Sequence, residues 1–347
     1  MVPQVVFVQN SVHLAGAQKS LSRLLTAPAM REHSPVLLTG QSGWLTNHCE
    51  THHVRCVRLP FPASRSLLAR VWGTRVFAKK AARLLKDVLE PGRPVIVHTN
   101  DHPDSLLGLA LARELKGIPV LTLRTPGMNQ RDFEKYRCGV HAHVIAVGDQ
   151  LFNKVRPWVA GQRAMTLVHN GVTEEEILTP KAAEESRLTK ILALGSVIPR
   201  KGWQDLVEAL LLLESRLPEG PLPEVHFLGD LLGHDPAATL GTARLKRFKV
   251  SFLGVVEGYR DCLRQYGLAV HPSRSESFGM AALECVAAGV PLLAAGTGLI
   301  PDFIPREAFL FPPKDVPSLA NHLEPLLSQP LAETGAAFAF LEAHTII

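Results

Sequence analysis

The sequence predicts an α/β protein with two doubly wound domains, each built around a parallel sheet. Short apolar runs alternate along the chain with stretches of helical periodicity, which is the pattern of βαβ units. The chain has 347 residues, and 46% of them are hydrophobic, whereas a single domain usually has about 100–200 residues. The predicted strands are Val5–Val8, Val95–His98, Val120–Leu123, Val144–Val147, Ile191–Leu194, Val225–Leu228 and Leu268–Val270.

The boundary between the two domains is predicted at residues 173–190. This stretch carries the acidic runs Glu174–Glu176 and Glu184–Glu185 and has few apolar residues, a composition typical of a linker. We therefore expect an N-terminal domain over 1–172 and a C-terminal domain over 191–330. Residues 331–347 form a separate segment after them.

The stretch 271–302 is the most informative about function. It places Glu276 and Glu284 with seven residues between them around a Ser-Phe-Gly-Met turn, and residues 278–288 have apolar side chains at helical spacing. A helix N-terminus attracts anions through its unpaired N–H groups, and a carboxylate can accept hydrogen bonds from neighbouring sugar hydroxyls. Together with Pro272-Ser273, Phe278-Gly279 and Ala287-Ala288-Gly289-x-Pro291 at fixed offsets, the two carboxylates indicate a nucleotide-sugar site. The alternative is a solvated acidic loop followed by a surface glutamate.

Lys201 is the next candidate because it opens a helical pattern directly after the predicted strand Ile191–Leu194. A cation is unfavourable at a helix N-terminus unless an anion binds there. This lysine could neutralise a diphosphate. The alternative is a solvated lysine on a first helical turn.

Further candidates lie in the N-terminal half of the chain. Gly16 fits a loop between the first strand and a helix beginning near Gln18, where backbone amides could meet phosphates; the alternative is an ordinary tight turn. His98 and His102 flank Asn100 at the C-terminal end of a predicted parallel strand, where ligands of open α/β sheets bind. The alternative for the histidines is a core or capping role.

Taken together, these motifs resemble the retaining glycosyltransferases of family 4, which have the GT-B fold. The family pattern is a Glu, seven residues and a second Glu, with Phe-Gly just after the first. Other pieces occur in the family's order over nearly the whole chain: Gly16-Ala17-Gln18, residues 94–119, His169-Asn170-Gly171-Val172, Leu194-Gly195 with Lys201-Gly202, and Ser251-Phe252-Leu253-Gly254. The resemblance implies two Rossmann-like domains that face each other across a cleft.

The resemblance also implies how the donor is bound. Glu284 would bind the ribose, and Lys201 would hold the diphosphate and stabilise charge on the leaving group. The donor sugar would meet Glu276 and the backbone of Phe278, Gly279 and Met280.

Two family residues are replaced in this chain. The family's diphosphate-binding arginine corresponds to Ser196, and Arg200 is the nearby residue that could substitute for it. The second histidine of a family pair near the reacting sugar corresponds to Asn100, which cannot act as a base. The candidate catalytic residues are therefore Glu276, Lys201, His98 and Asn100.

The implied activity is transfer, with retention of configuration, of a sugar from a nucleotide diphosphate sugar to a hydroxyl of a glycan or lipid-linked acceptor. Such reactions serve cell-envelope or other glycan biosynthesis. The resemblance implies no metal or other cofactor, because basic side chains and helix ends supply the positive charge. The replacements Ser196 and Asn100 leave a non-catalytic sugar-nucleotide or glycan-binding relative as the alternative. A dehydrogenase is disfavoured because no GxGxxG follows a predicted strand.

The segment 65–86 contains seven basic residues and no acidic one, interleaved with apolar residues, in a chain of net charge +5. This composition predicts either a helix that meets an anionic membrane surface or acceptor, or a helix that packs its apolar face on the first sheet and leaves its basic face in solvent. Nucleic acid is disfavoured because the charge comes without a reader motif or stacking aromatics.

The cysteines indicate the compartment. Five cysteines are scattered without a CxxC pair, so we expect no disulfide framework. No signal peptide is predicted, and the expected location is the cytoplasm, with peripheral attachment to the inner face of the membrane through 65–86.

A cluster of potential metal ligands occurs in residues 48–56, namely His48, Cys49, His52, His53 and Cys56. Their spacing matches no common zinc pattern.

The end of the chain also bears on the fold. Residues 340–347 resemble the point at which family members begin a last helix that returns to the first domain, and here the sequence stops. We expect either a truncated chain or a cleft that is closed by other means.

Overall fold

The computed structural model describes residues 1–62, 67–159, 161, 163–178, 188–233, 235–256, 258–304 and 309–328, without the side chains of 67–72. The chain divides into two compact units between Asn170 and Gly171. The central part of the predicted linker, 179–187, and the predicted final segment, 331–347, lie outside the described residues.

Unit 1 is built on a seven-stranded parallel sheet in the order β3-β2-β1-β4-β5-β6-β7. Its strands are β1 (Gln4–Val8), β2 (Val36–Thr39), β3 (Arg55–Arg58), β4 (Val95–Thr99), β5 (Ile118–Leu123), β6 (His143–Ala146) and β7 (Ala164–Leu167). Its helices are α1 (Gly16–Thr26), α2 (Trp44–Thr51), α3 (Leu67–Lys86), α4 (Ser105–Leu115), α5 (Gln130–Lys135) and α6 (Asp149–Val155). The strand order reverses between β1 and β4, and ligands of such sheets bind at the carboxyl ends of the strands at this point.

Unit 2 is built on a six-stranded parallel sheet in the order β10-β9-β8-β11-β12-β13. Its strands are β8 (Lys190–Leu194), β9 (Glu224–Leu228), β10 (Val250–Gly254), β11 (Leu268–His271), β12 (Leu292–Ala295) and β13 (Leu310–Phe311). Its helices are α7 (Trp203–Glu214), α8 (Pro236–Leu240), α9 (Tyr259–Leu263), α10 (Met280–Ala287), α11 (Ile300–Phe303) and α12 (Val316–Ser328). The strand order reverses between β8 and β11, so the carboxyl ends of these two strands frame the second expected binding position.

Both faces of the first sheet are covered, which explains why its central strands are almost entirely apolar. Val6 and Val8 of β1 pack with residues of α3 and α4. Phe7, between them, points to the opposite face and packs with residues of α1 and α2. The alternation follows from the two-residue period of a strand. The prediction of two doubly wound parallel sheets is thus confirmed.

Helix α3 covers most of the basic segment. Phe77, Ala81 and Leu85 are buried against the first sheet, so the apolar face of this helix packs on the sheet in the part whose side chains are described, whatever its basic face binds. The basic side chains on the solvent face are Arg75, Lys79, Lys80, Arg83 and Lys86. Two large apolar side chains, Val76 and Leu84, are also exposed there. Arg65 lies outside the described residues.

All five cysteines are free thiols. Cys49 of α2 is buried in the core, and the ring of His48, on the same helix, is 4.3 Å from the ring of His52, which directly follows the helix. Within the described ranges, no group of three or more His, Cys, Asp or Glu side chains is placed to hold a metal ion. No helix in the same ranges is long and apolar enough to span a membrane.

Candidate functional site

The predicted site residues of unit 2 gather where its sheet reverses order. Strand β8 ends at Leu194 and leads to the turn that carries Lys201. Strand β11, its neighbour in the sheet, ends at His271 and leads to the loop that carries Glu276. Residues that are 75 positions apart in the sequence are thereby brought into contact.

Glu276 is the centre of this cluster, with a side chain that is only 9% exposed. Lys201 Nζ lies 2.7 Å from its Oε1, and Ser273 Oγ donates to the same oxygen at 2.8 Å. Arg200 Nη1 lies 3.1 Å from Oε2, and His271 Nε2 lies 3.4 Å from Oε1. The two cations predicted for the diphosphate therefore both contact the carboxylate predicted for the sugar.

The charges in the cluster set its protonation states. Burial by itself would raise the pKa of Glu276, but Lys201, His271 and Arg200 together hold that pKa well below its usual range. Burial lowers the pKa of His271, and the two cations lower it further, although Glu276 acts in the opposite direction. At neutral pH the cluster thus contains an ionised carboxylate, two cations and a neutral imidazole.

The turn that carries Lys201 depends on a glycine. Residues Pro199–Lys201 form a short 3-10 turn, and Gly202 follows in the left-handed conformation with φ of +69°. A Cβ atom at Gly202 would lie 1.9 Å from the carbonyl oxygen of Pro272. The two loops approach this closely because residue 202 has no side chain. The periodicity predicted that Lys201 opens a helix. In the structure it lies two residues before α7, which begins at Trp203.

An ion pair ties helix α7 to the loop after β11. Arg274, in the loop after β11, donates from Nε and Nη2 to the two carboxylate oxygens of Asp205 at 2.9 and 2.6 Å. Its backbone N–H donates to the carbonyl oxygen of Arg200 at 2.9 Å. A bidentate arginine–carboxylate pair fixes orientation as well as distance. It holds the turn with Arg200 and Lys201 against the loop with Glu276.

Helix α10 begins at Met280, two residues later than its composition predicts, because Gly279 has φ of +102° and ends the preceding turn. Phe278 is buried and stacks on Phe303, and its carbonyl oxygen accepts a hydrogen bond from Leu299 N–H. The predicted donor-binding residues 278–280 thus form a well-packed turn at the N-terminus of α10.

Glu284 lies on the second turn of α10 and is 4% exposed. The hydroxyl of Tyr259 donates to its Oε2 at 2.6 Å. Burial and the charge of Glu284 raise the pKa of Tyr259, so this hydroxyl stays protonated and remains a donor. Glu284 also lines a cavity of about 500 Å³ whose walls include Arg260, Arg264 and Glu175.

Ser196 follows Gly195 at the end of β8. Its carbonyl oxygen accepts a hydrogen bond from the indole N–H of Trp203 at 2.9 Å. The second cation beside Glu276 comes from Arg200, which also donates to the carbonyl oxygen of Ser275 at 2.8 Å.

In unit 1, His98 and Asn100 lie at the carboxyl end of β4, where the first sheet reverses order. His98 Nε2 lies 2.6 Å from Thr122 Oγ1, and burial, with Arg124 and His141, lowers the pKa of His98 to about 3. Asn100 is fully buried, and its amide donates to Gln9 Oε1 at 2.6 Å. Both side chains are thus held inside the unit, and His98 is neutral.

Arg124 is a member of this cluster that the sequence interpretation missed. Its guanidinium donates to Asn100 Oδ1 at 3.0 Å and to Asn170 Oδ1 at 2.6 Å. Burial lowers the pKa of Arg124 to about 10, which leaves it charged at neutral pH. Its position directly after the predicted strand Val120–Leu123 was the signal that could have identified it. Gly16 is the first residue of α1, and the Asn100 amide also donates to the carbonyl oxygen of the next residue, Ala17, at 3.4 Å.

The architecture has close parallels among solved structures. The Anabaena protein HepE, crystallised with UDP and glucose, superposes with a TM-score of 0.72 at 16% identity, over 97% of this chain and 95% of that one. Sucrose-phosphate synthase from Thermosynechococcus elongatus gives a TM-score of 0.70 at 19% identity, over 97% and 91% of the two chains. The fold is GT-B, as predicted.

Comparisons of sequence agree with this fold. Residues 189–329 match the family model of glycosyl transferases group 1. D-inositol 3-phosphate glycosyltransferase of Jonesia denitrificans is 28% identical over 283 residues, which cover 77% of this chain and 55% of that protein. Sulfoquinovosyl transferase of Arabidopsis thaliana is 29% identical over 199 residues, 53% of this chain and 35% of that protein.

The resemblance predicted from the motifs is thus confirmed, since residues 189–329 match the group 1 glycosyltransferase model. The chain spans about half the length of the curated relatives that it matches.

Proposed function

We propose that this protein transfers a sugar, with retention of anomeric configuration, from a nucleotide diphosphate sugar to an acceptor hydroxyl. The observation that carries the proposal is the convergence of Lys201 and Arg200 on Glu276 at the carboxyl ends of β8 and β11. Two cations, a buried carboxylate and a helix N-terminus are the groups that a sugar diphosphate requires.

Each part of the donor has a candidate partner. Lys201 and Arg200 hold the diphosphate, while Glu276 and the entrance to α10 bind the sugar. Glu284 binds the ribose, with its carboxylate oriented by Tyr259. The cavity of about 500 Å³ beside Glu284 is large enough for part of a nucleotide.

The chemistry requires little of the protein beyond charge and position. The acceptor oxygen bonds to the anomeric carbon on the face from which the diphosphate leaves, and the leaving phosphate oxygen takes the acceptor proton. Lys201 and Arg200 stabilise the negative charge that develops on this diphosphate. An inverting reaction needs a base on the opposite face. Glu276 is assigned to the sugar, and Asn100 cannot act as a base.

The proposal includes no metal ion or other cofactor, because the two cations and the helix end supply the positive charge for the diphosphate. Unit 1 binds the acceptor. The acceptor is a glycan or a lipid-linked molecule of cell-envelope or other glycan biosynthesis. Relatives named D-inositol 3-phosphate glycosyltransferase and sulfoquinovosyl transferase support the transfer of a sugar group.

A panel of nucleotide sugars tests the activity. We expect one of UDP-glucose, GDP-mannose and ADP-glucose to raise the melting temperature most, and to release its nucleoside diphosphate only when an acceptor is present. NMR of the anomeric proton in the product should show the configuration of the donor, and turnover should persist in EDTA. An inverted linkage or a loss of turnover in EDTA would contradict the corresponding part of the proposal.

A non-catalytic relative that binds the sugar nucleotide is the second candidate, because Ser196 and Asn100 replace two family residues. The same assay separates the two functions. A nucleotide sugar that stabilises the protein but releases no nucleoside diphosphate with any acceptor favours the binding protein.

We further propose that the exposed basic face of α3 brings the enzyme to an anionic membrane surface. Lys79, Lys80 and Arg83 lie on this face with Val76 and Leu84 exposed beside them, and basic residues near an anionic surface each contribute about 1 kcal/mol. Co-sedimentation with phosphatidylserine-containing vesicles at low salt should be lost when the three basic residues are changed to glutamate.

The matched control reverses three other exposed basic residues of unit 1, Arg113, Arg131 and Lys154. This variant has the same change in net charge, and it should still co-sediment. Equal loss in both variants would show that net charge, and not the face of α3, governs the binding.

A further inference from the structure

His271 is the member of the Glu276 cluster to which the proposed function gives no role. It is the last residue of β11 and is 2% exposed. Its Nε2 atom is buried and forms no hydrogen bond of normal geometry with any described residue, although Glu276 Oε1 is 3.4 Å away. A buried polar atom usually has a partner, so this one points to a contact that is made in another state of the site.

The ligand-free cluster does not need a charge on His271. The carboxylate of Glu276 is compensated by Lys201 at 2.7 Å and Arg200 at 3.1 Å, and it accepts a third contact from Ser273. A third positive charge in this buried position would be repelled by the two cations. The imidazole is therefore neutral while both cations stay on the carboxylate.

Donor binding changes this balance. A sugar diphosphate brings two negative charges and competes with Glu276 for Lys201 and Arg200. As the cations move to the diphosphate, the carboxylate remains buried with less compensation, which is costly for a charged group. His271 Nε2 is already within 3.4 Å of Oε1, and protonation of the ring to imidazolium would make Nε2–H a charged donor to that oxygen.

We infer that His271 is a positioning residue that takes up a proton from solvent when the donor binds and then holds Glu276 through Nε2–H. The inference rests on the proposed function, because it requires a diphosphate at Lys201 and Arg200. It implies that the donor binds more tightly as the pH falls, by up to about tenfold per pH unit for one proton.

The charged groups around His271 determine the sign of this effect. Lys201 and Arg200 face it from the turn before α7, and Glu276 faces it from the loop before α10. The neighbouring Asp205 and Arg274 are paired with each other. When the diphosphate neutralises the two cations, the remaining influence on the imidazole is negative, so the proton is bound more tightly in the complex.

Calorimetry tests the inference with the nucleotide sugar that gives the largest thermal shift in the panel. Titrations at pH 7 in PIPES, HEPES and Tris, whose ionisation enthalpies differ, report the number of protons taken up per donor bound. Nucleotide sugars suit this measurement because their diphosphate diesters do not titrate near neutral pH. We expect net proton uptake by the wild-type protein and a dissociation constant that rises with pH.

His271→Gln should still donate a hydrogen bond to Glu276 but cannot titrate, so proton uptake should vanish and the pH dependence of affinity should flatten. His226→Gln changes a partly buried histidine elsewhere in unit 2 and should retain the uptake. Donor binding by the wild-type protein without proton uptake, or uptake that persists in His271→Gln, would overturn the inference. If His271→Gln does not fold, the number of protons taken up by the wild-type protein on donor binding is the test of the inference. Failure of every nucleotide sugar to bind would instead overturn the proposed function.

Discussion

Replacement of Lys201 by methionine is expected to weaken donor binding and sugar transfer by roughly 10- to 150-fold. Methionine keeps most of the length of the side chain and removes its charge. Loss of a hydrogen bond to a charged group costs about 1.5–3 kcal/mol, and each 1.4 kcal/mol is about a tenfold change in affinity. Calorimetry gives the donor affinity, and the acceptor-dependent release of nucleoside diphosphate gives the transfer rate.

The same change also acts on the ligand-free protein, since Lys201 Nζ is 2.7 Å from the buried Glu276 carboxylate. The single variant should therefore be less stable than the wild type. A Lys201→Met, Glu276→Gln double variant removes both charges, and it should recover stability without recovering activity.

Lys249→Met is the matched control in the same unit, because its side chain is 84% exposed. It should leave affinity, transfer and stability unchanged. Unaltered donor affinity in Lys201→Met would remove this lysine from the diphosphate site.

Replacement of Gly202 by alanine is expected to have the largest effect on stability, on the order of 3–5 kcal/mol. The new Cβ would lie 1.9 Å from the carbonyl oxygen of Pro272, a backbone atom that cannot move aside alone. Relief of the clash has to separate the turn with Lys201 from the loop with Glu276. Urea unfolding measures the loss of stability, and the donor titration should show a parallel loss of affinity.

Gly241→Ala is the control that separates crowding from backbone strain. Gly241 has φ of +67°, close to that of Gly202, but the nearest atom to an added Cβ is the flexible Arg244 Cδ at 3.7 Å. This variant should cost only the left-handed backbone penalty of about 1–2 kcal/mol. Equal losses in the two variants would show that the contact with Pro272 is unimportant.

The secondary structure was predictable where the sequence signal is local. The central strands β1, β4, β8 and β11 were found within one or two residues, because strands buried on both faces are continuous apolar runs. Strand β2, with the apolar run Val36–Thr39, and the peripheral strand β7, with half-exposed residues, were not predicted. The alternating exposure of β7 leaves no continuous apolar run, whereas Val36–Leu38 of β2 is such a run and was overlooked.

The candidate site was predictable as a set of motifs, and its contacts were not. Glu276 and Glu284 stand out through their spacing around one helix entrance, which is a local property. The hydrogen bond from Tyr259 to Glu284 has no counterpart in the sequence pattern, and the position of Arg124 after a predicted strand does not reveal its contacts with Asn100 and Asn170. These contacts depend on which strands are adjacent in the sheet. The hydrophobic periodicity of a strand does not reveal its neighbours.

The sequence by itself determined two parallel α/β units, the residues that match the glycosyltransferase motifs, and the position of each motif after a strand or at a helix entrance. Only the tertiary structure decided which side chains surround the carboxylate of Glu276. These are Lys201, Arg200, Ser273 and His271. Strands β8 and β11 are adjacent in the sheet although two strands lie between them in the sequence. Their adjacency brings the two loops together, and burial of the resulting cluster then fixes its charges and protonation states.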